Sequence, residues 1–289
     1  MYNALLPGAI GIKGLSLQES IDLARDAGFE GVAFDIVEAK AIADEQGFEA
    51  LRAMFDEAGI RPAIWNTGVS WADDAKRDAQ IEALKPLAEV AVALGATNVT
   101  TGIMPGSNTR TYDEEYEFCL TRLRPLAEAL REAGIRIGIE FISPKTLRDT
   151  FEHEFIYTMK DMLAFAKDIG TGNVGVLFDT WHHYCAHGTI EDMDVLTADD
   201  VQLVHSNDAP AGLEVDEQQD LSRTLPMETG VIPAPEMLRK LHQIGYDGAV
   251  AAEPFSARIN ELAAKDPLAA AKETCEAQEK LFAAAGLRS

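Results

Sequence analysis

The sequence predicts an α/β protein built as one closed (β/α)8 barrel, a TIM barrel, across residues 1–289. Three observations predict it. A helical stretch that ends in glycine and runs into a β-branched or apolar segment recurs along the whole chain. The recurrence falls at Gly28, Gly59, Gly95, Gly134, Gly170 and Gly245, with gaps of 31, 36, 39, 36 and 75 residues, the last close to two units. That unit is the size of one strand, one helix and two connections. The rival architecture, an open doubly wound sheet, places a Gly-x-Gly-x-x-Gly turn after its first strand, and "GAIGIKG" does not fit that pattern.

The elements follow in order. The first strand is expected over 5–11, interrupted by Pro7 and Gly8. The first helix opens with "SLQE", in which Ser16 and Glu19 form a capping box, and stops at Gly28, a position that favours positive φ. Strands are expected over 31–36, 61–66 and 97–103. In the helix before the last of these, Ile81, Leu84, Ala88, Ala91 and Leu94 share one face at helical spacing and belong to the core. Further strands are expected over 136–142, 174–179, 201–206 and 248–254. After the seventh comes a long polar segment, Ser206 to Ile232, which a barrel would hold over its active-site face. No proline- or serine-rich linker divides the chain, so a single domain is expected.

Composition narrows the function. With 25 basic and 48 acidic residues the net charge is −23, a field that repels a phosphate backbone and disfavours nucleic acid. No apolar run reaches membrane length, and "MYNALLPGAIGIKG" has neither a charged start nor a long apolar stretch, so a soluble cytoplasmic enzyme is expected. Cys119, Cys185 and Cys275 are odd in number and lack paired-ligand spacing, which fits free thiols in a reducing compartment.

Four consecutive strands end in groups that bind metals. "RIGIEF" places Glu140 near the end of the fifth, "GVLFD" ends at Asp179, "QLVHS" carries His205, and "AVAAEP" carries Glu253. Alternation puts each on a face with small or aliphatic partners: Gly138; Leu177 and Gly175; Leu203 and Val201; Ala251 and Ala249. Three carboxylates and an imidazole converging in a dry barrel mouth repel one another unless a cation sits among them. Three oxygens and one nitrogen suit one divalent ion, Mn²⁺ first, with Mg²⁺, Co²⁺ or Zn²⁺ as alternatives.

In this order and on these strands, "GIEF", "FDTWHHY" with "HGTIEDM", "VHSNDAP" and "AAEPF" resemble the xylose isomerase-like sugar isomerases and epimerases. The resemblance is nearest to the branch of 2-keto-myo-inositol isomerase, inosose dehydratase and D-tagatose 3-epimerase. It implies metal ligation by Glu140, Asp179, His205 and Glu253, and contacts from His182 and Arg223 to substrate oxygens. "PMETG", Pro226 to Gly230, departs from the family's Pro-Gly-x-Gly, which leaves the shape of that loop open. The trinuclear zinc class of the same barrel needs extra histidines on early strands. Here those strand ends read "AIWNTG" and "VTTGIM".

The expected activity is isomerisation or epimerisation of a free keto-sugar or inosose through an enediolate, with Glu140 and Glu253 as the acid/base pair. A lyase that expels a leaving group from the same enediolate, as in inosose dehydration or 3-keto-glycoside cleavage, begins identically and stays open. So does a non-catalytic sugar-binding barrel. Trp65, Trp181 and Phe255 are candidates for an apolar wall, and Asn66, Lys13, Asp208 and Arg223 for contacts with hydroxyls. The expected partner is a small keto-sugar or cyclitol. A homo-oligomer is carried over by analogy alone.

Overall fold

The computed structural model describes residues 1–288. Eight parallel strands make one sheet: β1 (Tyr2–Leu5), β2 (Gly31–Ala33), β3 (Arg61–Ile64), β4 (Asn98–Ile103), β5 (Arg136–Phe141), β6 (Val174–Asp179), β7 (Val201–Ser206) and β8 (Ala249–Ala252). Their spatial order, β3-β2-β1-β8-β7-β6-β5-β4, is the ring order of a TIM barrel, with helices on its outside. The hydrogen-bonded ladder is open at one seam, between β3 and β4. Pro62 in β3 has no N–H to donate and suits an edge strand. The indole N–H of Trp65 crosses the seam to the carbonyl of Ala96 at 2.8 Å.

The glycine rhythm has its expected cause. All six repeat glycines have positive φ, and the Ser16–Glu19 box caps the helix Leu17–Ala27. Ile81, Leu84, Ala88 and Ala91 are buried on one face of the helix Arg77–Leu94. The first strand differs from expectation. It lies at Tyr2–Leu5, and Pro7–Ile10 instead forms a 3₁₀ turn with Pro7 at its first position, ended by Gly11 at φ 80°. Proline's fixed φ and missing N–H suit a helical start and break a strand, so the apolar residues of this run belong to two elements.

Inside the barrel a small apolar layer of Ala4, Leu177, Leu203 and Ala249 is separate from the large core between sheet and helices. Val201 is not in it and packs on the outer side. The pairing of β6 with β7 slips by one residue, Val176 facing Val201 and Leu177 facing Leu203, so Gln202 is an extra residue in a bulge. Its side chain is received where Gly138 and Gly175 present no Cβ. A Cβ on Gly138 would stand 2.9 Å from that of Gln202, and one on Gly175 would stand 2.3 Å from the Asp200 carbonyl oxygen.

Candidate metal centre

Four strand ends build the site. Glu140 is the penultimate residue of β5, Asp179 ends β6, His205 is penultimate in β7, and Glu253 follows β8 directly. Register aligns them. Asp179 is opposite His205, Glu140 is opposite Leu177, and His205 is opposite Ala251. Leu177 and Ala251 each lie two residues before the next acid, so all four side chains face the barrel interior. One donor atom from each lies within 4.8 Å of the others.

The set fits a cation on two grounds. Glu140 Oε1 and both ring nitrogens of His205 are buried without a hydrogen-bond partner, a state that costs free energy unless something bonds them. Three carboxylates also share one small volume. His205 Nδ1 lies 3.3 Å from Glu253 Oε2 and 3.6 Å from Glu140 Oε1. Burial opposes protonation of this ring, but the Glu253 and Glu140 carboxylates outweigh it and raise the pKa well above the usual imidazole value. For Glu253, burial would raise the pKa. His205 and Arg223 prevail and hold it down to about 2.

Arg223, from the long segment after β7, supplies fixed positive charge. Its Nη1 donates to Asp179 Oδ2 at 2.8 Å and to Glu253 Oε2 at 3.0 Å, and Nη2 lies 3.3 Å from Asp220 Oδ1. Burial disfavours the guanidinium charge, yet Asp179, Glu253 and Glu140 keep its pKa above the ordinary arginine value. Its Cζ lies over two aromatic rings, 4.4 Å from the Trp181 centroid and 5.2 Å from that of Phe255. Phe255 is itself held at φ 41°, an uncommon conformation for a large residue. His182 follows Asp179 on the short helix Thr180–Cys185. Its Nδ1 faces the Ser143 N–H at 3.3 Å, its Nε2 faces Arg223 Nη2 at 3.1 Å, and Nε2 is 3.9 Å from Glu140 Oε1.

A cavity of about 350 Å³ opens over these groups, walled by Leu6, Phe34, Trp65, Asn66, Thr100 and Thr101 and floored by Glu140, Leu177, His205 and Glu253. Of the four ligand-type residues, Asp179 alone does not line it and is fully buried. Trp65 and Asn66 are therefore brought to the cavity. His182 and Arg223 stand behind the carboxylates, in contact with them. Lys13 is exposed and outside the cavity lining.

Phe255, like Lys13, is outside the cavity lining, and two further expectations need correction. Asp208 is not turned to the cavity. Its Oδ2 accepts the N–H groups of Thr229 (2.9 Å) and Gly230 (2.6 Å), and its Oδ1 those of Ala209, Val231 and Ile232 (2.9, 3.1 and 3.0 Å). It is the internal anchor of the 206–232 segment, which the Asp208–Thr224 bridge also folds back on itself. Trp181 is fully buried and stacks on Arg223, so it is not part of the cavity wall. Sequence reasoning gave Asn207 no role, though it sits two residues beyond His205, the spacing that returns a side chain to the same face.

A family model of xylose isomerase-like TIM barrels matches residues 21–281. Among characterised proteins, an inosose isomerase of Halalkalibacterium halodurans is 25% identical over 232 residues, covering 78% of each chain. A ketose 3-epimerase of Arthrobacter globiformis is 24% identical over 260 residues, 84% of this chain and 79% of the epimerase. Among solved structures, a xylose isomerase domain protein from Alicyclobacillus acidocaldarius superposes with a TM-score of 0.85 at 29% identity, covering 99% of both chains.

Proposed function

This chain belongs to the xylose isomerase-like TIM-barrel family, and from that premise we propose that it is a divalent-metal-dependent isomerase or epimerase of a free keto-sugar or inosose. The observation that carries the reading is the division of the four ligand-type residues. Asp179 is sealed in the protein, whereas Glu140, His205 and Glu253 reach a cavity large enough for a monosaccharide. In this reading Glu140, Asp179, His205 and Glu253 hold one ion, Mn²⁺ first, with Mg²⁺, Co²⁺ and Zn²⁺ as alternatives. When bound, that ion polarises the substrate carbonyl and acidifies the neighbouring C–H.

The chain's own groups do the rest. Glu140 and Glu253 stand at the two ends of the ligand row, on β5 and after β8, so they flank a substrate placed over His205. One takes the proton from carbon and the other, or the same one, returns it. His205 and Arg223 keep Glu253 in its carboxylate form through the neutral range, the form that both metal ligation and proton acceptance require. Asp179 serves as a ligand only. Arg223 and His182, standing behind the carboxylates, hold them in place. Trp65 offers an apolar face and Asn66 a hydrogen-bonding one. The inosose isomerase and ketose 3-epimerase relatives support this substrate class. The three buried free thiols suit a reducing cytoplasm.

The test is exchange. Protein loaded with Mn²⁺ and incubated in D₂O with inosose, D-fructose or D-tagatose is expected to place solvent deuterium beside the carbonyl and to yield the isomer or epimer without loss of water. An enone product would assign it to the lyases instead. No exchange with any keto-sugar or cyclitol would leave only a binding barrel.

A further inference from the structure

Asn207 lies one residue beyond β7 and is fully buried. Its Nδ2 donates to Asp179 Oδ1 at 3.0 Å, and its Oδ1 accepts the backbone N–H of Glu253 at 3.1 Å. The partners fix the orientation of the amide, since a carboxylate oxygen requires a donor and an N–H an acceptor. Its own backbone N–H is held by Thr180 Oγ1 at 3.1 Å. The same Asp179 Oδ1 also accepts the Trp181 N–H at 2.7 Å, so that oxygen is committed to the protein and Oδ2 faces Arg223. One neutral side chain thus ties together three strand ends: β6 through Asp179, β7 through its own backbone, and β8 through the start of Glu253. The Glu253 N–H is shared, since it also donates to the Ser206 carbonyl of the ladder at 3.2 Å. Arg223 joins the same two acids, but through Oδ2 and Oε2 and with a full charge.

We infer that Asn207 is a positioning residue for the metal centre. Its amide sets the plane of the Asp179 carboxylate and the backbone position of Glu253, and so fixes the distance between two of the four ligands. This rests on the reading of Glu140, Asp179, His205 and Glu253 as one metal site. Groups that orient metal ligands in this way typically change affinity 10–100-fold when removed.

The experiment measures Mn²⁺ affinity by the electron paramagnetic resonance of the free ion, and the visible spectrum of the Co²⁺-loaded protein, for wild type, N207A and N207D at pH 8. N207A is expected to raise the Kd for Mn²⁺ roughly 10–100-fold and to change the Co²⁺ bands. N207D keeps the side-chain volume and the acceptor for Glu253, but sets a second carboxylate against Asp179 Oδ1. It is expected to weaken Mn²⁺ binding even though it adds negative charge to the site, and it serves alone if N207A does not fold. A purely electrostatic role predicts the opposite sign for N207D. Wild-type Kd and spectrum in folded variants would overturn the role of Asn207. A wild type that binds no Mn²⁺ would overturn the metal reading and this inference together.

Discussion

Replacing Arg223 with methionine removes a fixed positive charge that touches two of the clustered acids. The wild-type site without an ion holds three carboxylates, Glu140, Asp179 and Glu253, against the Arg223 guanidinium and a His205 ring whose pKa is raised. With the guanidinium gone, Asp179 is left fully buried with its Oδ2 unpaired. Breaking a buried ion pair from one side costs about 3–5 kcal/mol. For a chain of this length each kcal/mol lowers Tm by about 2 °C, so metal-free R223M should melt roughly 6–10 °C below wild type. Saturating Mn²⁺ supplies positive charge at the same oxygens and stabilises by mass action. The gap between variant and wild type should therefore narrow when both are loaded. Differential scanning calorimetry of the four samples reads this directly. A metal-free R223M melting within about 2 °C of wild type, or a gap that Mn²⁺ leaves unchanged, would refute the electrostatic account of the site.

Glu140→Gln should lower turnover of any identified substrate by about 10²–10⁴-fold while circular dichroism and Tm stay near wild type, and a near-normal rate would remove its role as acid or base. Asp208→Ala strips the acceptor from five backbone N–H groups. It should cost about 3 kcal/mol or more and open residues 206–232 to limited proteolysis, whereas a change in KM with unaltered stability would return Asp208 to the substrate. Because His205 is protonated well above the usual imidazole range in the metal-free protein and must be neutral to ligate, Mn²⁺ binding at neutral pH should release a proton. Affinity should then rise with pH until the metal-free ring titrates and fall as pH drops. Calorimetric enthalpies that do not depend on the ionisation heat of the buffer would contradict this.

Much of this protein was legible as pattern. Glycine after the repeating helices and four strand-end residues of metal-binding type are local signals, tied to backbone conformation and to the two-residue alternation of a strand, and both reappear in space. What failed locally failed through backbone chemistry. Pro7 converted an apolar run into a turn, and the bulge at Gln202 moved Val201 to the outer face while leaving Leu203 and His205 inside. Asp208 was misplaced because a carboxylate near a strand end reads alike whether it meets substrate or a loop. Only the fold of residues 206–232 shows that its oxygens are spent on five N–H groups. Asn207 was invisible for the complementary reason. Its partners lie on strands that the sequence separates from it by 28 and 46 positions.

The central claim is that four side chains from the last four strands share one divalent ion. Crystals soaked in Mn²⁺, with data collected at the manganese absorption edge, test it most directly. A single anomalous peak is expected in the barrel mouth, bound by Glu140, Asp179, His205 and Glu253 at about 2.0–2.4 Å. A mouth without a peak, or an ion held elsewhere by other residues, would contradict it.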